Sequence, residues 1–253
     1  MKERGLHVET VGVGPRLVLV HGSIGAGWEA WSEQRPLAER FTLVVPHRSG
    51  YPPGPSIDRI DFERQADEIA GLLRPGDHLV GHSYGAVVAL LAAPRVEGLG
   101  SLTAIEPPAF GVVPDNPDVA LLQQRLAHHF GCTDDPARYL AGFAHILGGG
   151  DTENIEAEPL SPSLEPFVRA FMVERPPWEA DIPLDLLRAA DFPILVVSGG
   201  WSGAFDAVCS AIARATAAEQ VILEGAGHAV QALGTPFNDV LAAFVEGVLP
   251  ATA

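Results

Sequence analysis

Cysteine is nearly absent from this chain. Cys132 and Cys209 are the only two in 253 residues, they stand far apart, and neither belongs to a metal-ligand spacing. That excludes a disulfide-stapled scaffold and a thiolate metal site, and two free thiols in a reducing compartment are expected. Positive charge is also scarce: 16 Lys and Arg stand against 32 Asp and Glu, a formal net charge of -16. Such a surface repels phosphate backbones and anionic lipid, so neither nucleic acid nor a membrane is expected as a partner. No apolar run approaches the roughly 20 residues that cross a bilayer. The opening MKERGLHVETVG has no apolar core of the kind a secretory signal needs. The expectation is a soluble cytoplasmic protein.

Apolar residues are plentiful, at 47%, and a chain of this length can bury a substantial core without staples. Their spacing alternates between two periods. HVETVGV alternates like a half-exposed strand, and RLVLVHG is a continuous apolar run ending in glycine. WEAWSEQRPLAER reads as a helix marred by Pro36, FTLVVP as a strand, and DFERQADEIAGLL as an amphipathic helix. DHLVGHS and SLTAIE are strands on either side of an apolar helix, YGAVVALLAA. Between positions 107 and 190 the alternation stops. That stretch carries helical segments (VALLQQRLAHHF, PARYLAGFAHIL, LEPFVRAFMVE) and a glycine-hinged acidic loop, GGGDTENIEAE, read as mobile and solvated. Strand, helix, strand, helix then resume through FPILVVSG, GAFDAVCSAIARATA, QVILEG and PFNDVLAAFVEGVL. The pattern predicts a doubly wound α/β fold around a mostly parallel sheet. Residues 1–106 and 191–253 would form the core, and 107–190 a helical cap inserted before the last two strands.

Three residues invite chemistry. Ser83 sits in GHSYG, a G-x-S-x-G match fed by an apolar strand and left by an apolar helix, the setting of a nucleophile elbow. A serine hydroxyl needs a base. Of nine histidines, His228, in the glycine-flanked turn GAGH just after a strand, is the best placed. Glu106 ends the buried-looking strand SLTAI immediately before two prolines. The ends of successive parallel strands share one rim of the sheet, so these three can converge although distant in sequence. The pair His128 and His129 lies on a helix with no third ligand in view and is not read as a metal site.

Together with His21-Gly22 after the early strand and Arg48 and Gly50 in the next loop, these motifs resemble the α/β-hydrolase superfamily along nearly the whole chain. The resemblance implies a Ser-acid-His triad and a cap between the family's sixth and seventh strands. It breaks at one place. Most members carry the acid just after the strand that follows the cap, and here that slot holds Ser202, with Asp206 four residues on. A subset places the acid one strand earlier, among them many haloalkane dehalogenases and the lactonases that open zearalenone. Glu106 matches that position; Asp206 is the alternative acid. Dehalogenase chemistry is excluded, because the elbow presents a serine where those enzymes have an aspartate.

The resemblance implies hydrolysis of an ester or lactone through an acyl-enzyme, with no metal or organic cofactor, and the aromatics of the insertion point to a mainly apolar, uncharged small molecule as substrate. The backbone amides of Tyr84 and Ser23, or Ile24 in place of Ser23, would hold the oxyanion. Trp201, Ser202, Phe110 and Trp178 are expected in the pocket. Phe130, Phe143, Phe167, Phe171 and Met172 are expected mainly as cap core, with a few touching substrate. Carbon–carbon bond hydrolysis on the same triad, and a non-catalytic binding protein on the same scaffold, remain open at this point.

Overall fold

The computed structural model describes residues 6–150 and 155–247. Positions 151–154 of the glycine-hinged acidic loop lie outside the described residues.

Seven strands form one sheet: β1 (Val8–Val11), β2 (Arg16–Val20), β3 (Thr42–Pro46), β4 (His78–His82), β5 (Ser101–Ile105), β6 (Ile194–Ser198) and β7 (Glu219–Ile222). Their order across the sheet is β1-β3-β2-β4-β5-β6-β7, and only β1 runs antiparallel to its neighbour. The central strands are apolar on both sides because both faces are covered. Alternate residues go to opposite layers. Val18, Val20, Leu79, Leu102, Ala104 and Val196 join one core with the helices α1 (Phe62–Ala70), α2 (Tyr84–Ala92) and, late in the chain, Gly203–Thr216. Leu17, Leu19, Val80, Ile105, Leu195 and Val197 join the other with Trp31 and the last helix, Thr235–Val245. The edge strands β1 and β7 are half-exposed, as their mixed composition requires.

One expected helix is different in kind. WEAWSEQRPLAER forms two 3-10 segments, Gly27–Glu29 and Ser32–Glu39, instead of an α-helix. Pro36 has no N–H and its ring obstructs an i→i−4 ladder, and the tighter winding keeps Trp31 and Leu37 in the core.

Between β5 and β6 the chain forms α3 (Pro117–His129), α4 (Pro136–Leu147), α5 (Glu165–Met172) and the short α6 (Leu184–Arg188), which the spacing had not suggested. The side chains of Asn116 and Asp135 accept the first free N–H groups of α3 and α4, with proline at the first position of each. Tyr139, Val168 and Phe171 make a small core of their own. The helices after β6 complete the series as α7 (Gly203–Thr216) and α8 (Thr235–Val245).

Register decides what meets at the rim. Gly81 pairs with Val20 and with Ala104, His82 with Ile105, and Ile105 with Val197. The residues just past β2, β4, β5 and β6 therefore end level with one another, on the side where parallel sheets bind ligands.

Candidate active site

Ser83 stands between β4 and α2 with φ 53° and ψ -124°, a left-handed backbone that costs free energy for a non-glycine residue. The flanking glycines make this turn possible. A Cβ on Gly81 would lie 2.3 Å from the Gly85 carbonyl oxygen, and one on Gly85 would lie 2.3 Å from that of His21. The Ser83 N–H donates to the Ile105 carbonyl at 2.8 Å, which anchors the turn to β5. Its side chain faces His228: Oγ and Nε2 are 2.9 Å apart.

His228 lies on the loop between β7 and α8. Its carbonyl accepts a hydrogen bond from His82 Nε2 at 2.9 Å, and His82 Nδ1 accepts from Gln231 at 3.3 Å. The second bond requires a neutral ring, because Nδ1 can accept only while the proton sits on Nε2. Burial, and then the nearby His228, lower the His82 pKa to about 3, so this brace stays uncharged at neutral pH. The second residue of the elbow thus holds the histidine loop, a role that the sequence alone did not signal.

His228 Nδ1 is 3.1 Å from Oε2 of Glu106. Glu106 is fully buried, with φ 49°, and follows β5 directly. Its Oε1 accepts the Gly199 N–H at 2.7 Å and its Oε2 accepts Trp201 Nε1–H at 3.0 Å. The loop after β6, where most of the superfamily would carry its acid, here supplies donors to a carboxylate from the neighbouring strand β5. The chain passes so close that a Cβ on Gly199 would sit 2.0 Å from the Gly227 carbonyl oxygen. Asp206 lies in the first turn of α7, forms no hydrogen bond with His228, and has Oδ1 buried without a partner among the described residues. Ser202 precedes α7 as its N-cap residue.

A cavity opens above Ser83 and His228. It is walled by Phe130, Phe143, Phe171, Trp178 and Phe205, with Ser23, Tyr84 and Glu174 as its polar lining; its space, opening included, is about 380 Å³. Trp178 is the one residue of the expected pocket set on this wall. Phe110 lies behind it, stacked at 6.2 Å and fully buried. Trp201 and Ser202 are not on the wall either, because the indole of Trp201 is turned toward Glu106. Phe167 and Met172 pack into the surrounding helices. Phe205 and Glu174 were missed: Phe205 reads as an ordinary core position of an amphipathic helix, and nothing in the sequence marks Glu174 among 32 acidic residues.

The Tyr84 and Ser23 amides face no hydrogen-bond acceptor among the described residues. Tyr84 is the first residue of α2, so its N–H has no partner within the helix and lies at the positive end of the helix dipole. Ser23 lines the cavity and Ile24 does not. Elsewhere, His7, Glu9 and His47 bring three ligand-type atoms within 4.8 Å at the β1–β3 edge, but none of them lines the cavity. His129 bonds the Tyr139 carbonyl at 2.8 Å within the α3–α4 packing. Both cysteines are free thiols, Cys132 exposed and Cys209 buried. Among the described residues no helix is long and apolar enough to cross a membrane.

Comparison with known proteins gives a consistent result. A pimeloyl-[acyl-carrier protein] methyl ester esterase of Aeromonas salmonicida is 28% identical over 88% of this chain and 91% of its own length. The enzyme of the same name from Aeromonas hydrophila is 31% identical, over 59% of this chain and only 54% of that protein. Among solved structures, a thermophilic esterase from Thermogutta terrifontis superposes with a TM-score of 0.68 at 23% identity, covering 97% of this chain and 94% of its own. The family model described as "Alpha/beta hydrolase family" matches residues 17–243. With the sheet order, the strained serine turn and this match agreeing, the chain belongs to the alpha/beta hydrolase family.

Proposed function

We propose that the protein is a serine hydrolase that cleaves an ester or lactone of a mainly apolar, uncharged small molecule through an acyl-enzyme, with Ser83, His228 and Glu106 as its triad. The observation that carries this reading is the continuous chain from Ser83 Oγ to His228 Nε2 at 2.9 Å and from His228 Nδ1 to Glu106 Oε2 at 3.1 Å, beneath an aromatic cavity. His228 accepts the hydroxyl proton as Ser83 attacks the carbonyl. The negative charge that develops on the carbonyl oxygen falls to the Tyr84 and Ser23 amides. His228 then protonates the leaving alcohol, and a water, activated by the same imidazole, releases the acid. Glu106 holds the Nδ1–H tautomer and stabilises the imidazolium as it forms. The names of the curated relatives favour ester cleavage, and the five aromatic walls favour an apolar substrate. The helices of 107–190 act as the cap that shapes the pocket.

The test is Ser83→Ala against an activated p-nitrophenyl ester. The expected result is a loss of kcat on the order of 10⁶-fold in a protein that still folds, together with loss of labelling by a serine-reactive fluorophosphonate. Full turnover by that variant would overturn the reading.

A further inference from the structure

A second buried carboxylate lies beside the triad without joining it. Glu174 follows α5 and reaches down from the segment between β5 and β6. Its side chain is 1% exposed, and that of its partner Arg48 is 0% exposed. Arg48 Nη2 donates to Glu174 Oε1 at 2.7 Å, as does Tyr51 OH at 2.8 Å. The other carboxylate oxygen, Oε2, accepts the Ser23 hydroxyl at 2.5 Å. The backbone on either side of Glu174 is tied to the core, Val173 accepting from the Ile60 N–H at 2.9 Å and the Arg175 N–H donating back to Ile60 at 2.8 Å.

The same arginine holds the peptide that matters for the oxyanion. Arg48 Nη2 also donates to the Gly22 carbonyl at 2.7 Å. His21 Nε2 accepts the Arg48 backbone N–H at 3.0 Å, so the neutral ring carries its proton on Nδ1 and donates it to the same Gly22 carbonyl at 2.7 Å. Burial, and then the Arg48 charge, push the His21 pKa well down, which keeps the ring neutral. Two donors thus fix the carbonyl of the Gly22–Ser23 peptide. A peptide is planar and trans, so its N–H points opposite to its C=O. The amide of Ser23 is turned away from Arg48 and His21, and its side chain is held by Glu174.

We infer that Glu174 is a positioning residue for the oxyanion hole. It holds Arg48 and the Ser23 hydroxyl together, and so steadies the Gly22–Ser23 peptide whose amide is free to face the reacting carbonyl. This rests on the serine-hydrolase reading above. A purely structural ion pair would hold the fold without affecting the charge that develops on the substrate. A positioning pair controls that charge.

Ser23→Ala separates the two roles, because it removes the link to Glu174 while leaving the Arg48–Glu174 pair and the backbone N–H at position 23. With a p-nitrophenyl ester, kcat is expected to fall about tenfold or more with KM little changed and the melting temperature held. Affinity for an arylboronic acid, which accepts the Ser83 oxygen to form a tetrahedral adduct, should fall in parallel with kcat. Ser23→Thr, which keeps the hydroxyl, should restore both. Glu174→Gln should lower kcat in the same way; if it does not fold, the Ser23 pair of variants decides. Wild-type kcat in Ser23→Ala, no recovery in Ser23→Thr, or lost kcat with unchanged boronate affinity would each overturn the inference. Failure of the parent reading looks different, since turnover would then persist in Ser83→Ala. If Ser83→Ala is inactive and Ser23→Ala is normal, only the role of Glu174 is lost.

Discussion

Glu106 and Glu174 are both buried glutamates beside one serine, and their surroundings are opposite. Glu106 is held by neutral donors, the Gly199 amide and the Trp201 indole, and faces an imidazole. Glu174 faces a guanidinium. Burial works against the charge on Arg48, but Glu174, Tyr51 and Tyr84 around it more than offset this and hold its pKa above the ordinary value. The negative charge of Glu174 is thus permanently compensated, whereas that of Glu106 has no fixed cation among its partners. A carboxylate without a standing counter-ion gains most when a cation forms beside it, which is what the proposed mechanism requires of His228 during proton transfer. On that proposal, one glutamate answers a charge that comes and goes, the other a charge that stays.

Substitutions can break this contrast. Glu106→Gln keeps the shape and removes the charge. On the proposed triad, kcat should drop on the order of 10⁴-fold, far more than the stability loss of about 1–3 kcal/mol where the new amide NH2 meets a buried donor, and Asp206→Asn should stay near wild type. Steady-state kinetics on the two variants checks this, and the reverse pattern would move the acid to Asp206. The fixed pair should respond in stability. Arg48→Met alone leaves a buried carboxylate without its counter-charge and should cost about 3–5 kcal/mol. The double variant Arg48→Met with Glu174→Leu should recover much of that loss, which urea titration measures.

Smaller effects sharpen the comparison. Trp201→Phe removes one of the two neutral donors to Glu106 and should cost about 1.5–3 kcal/mol of transition-state stabilisation, seen in kcat more than in KM. The neutral brace beneath His228 sets a pH dependence. The His82 pKa falls from 6.5 to about 3 on folding, so below the ordinary histidine range the unfolded chain takes up a proton that the native chain refuses. Stability should therefore fall as pH drops toward about 3, by up to about 1.4 kcal/mol per pH unit. His21, lowered by burial and by Arg48, acts in the same direction. Denaturation midpoints at pH 7 and pH 5 should differ less in His82→Gln than in wild type.

Much of this architecture is legible in the residues. Short apolar runs bounded by turn residues place all seven strands, and Gly81 and Gly85 mark two positions of a turn that admit no side chain. The short α6 and the 3-10 character of the Trp31 segment were not legible, because five residues carry too little periodic signal and one proline disturbs a helix without saying what replaces it. The pocket was legible least. Phe110 and Trp178 read alike as apolar aromatics, yet one is buried behind the other.

Local order along the chain was enough to determine the sheet, the serine turn and a carboxylate at the end of β5, since strand ends, turn glycines and apolar runs are properties of neighbouring residues. Which acid reaches the imidazole, which aromatics face the cavity, and that a glutamate from 107–190 grips Ser23 were decided only in three dimensions. Those depend on strand register and on contacts between residues as many as 151 positions apart, for which no local pattern exists.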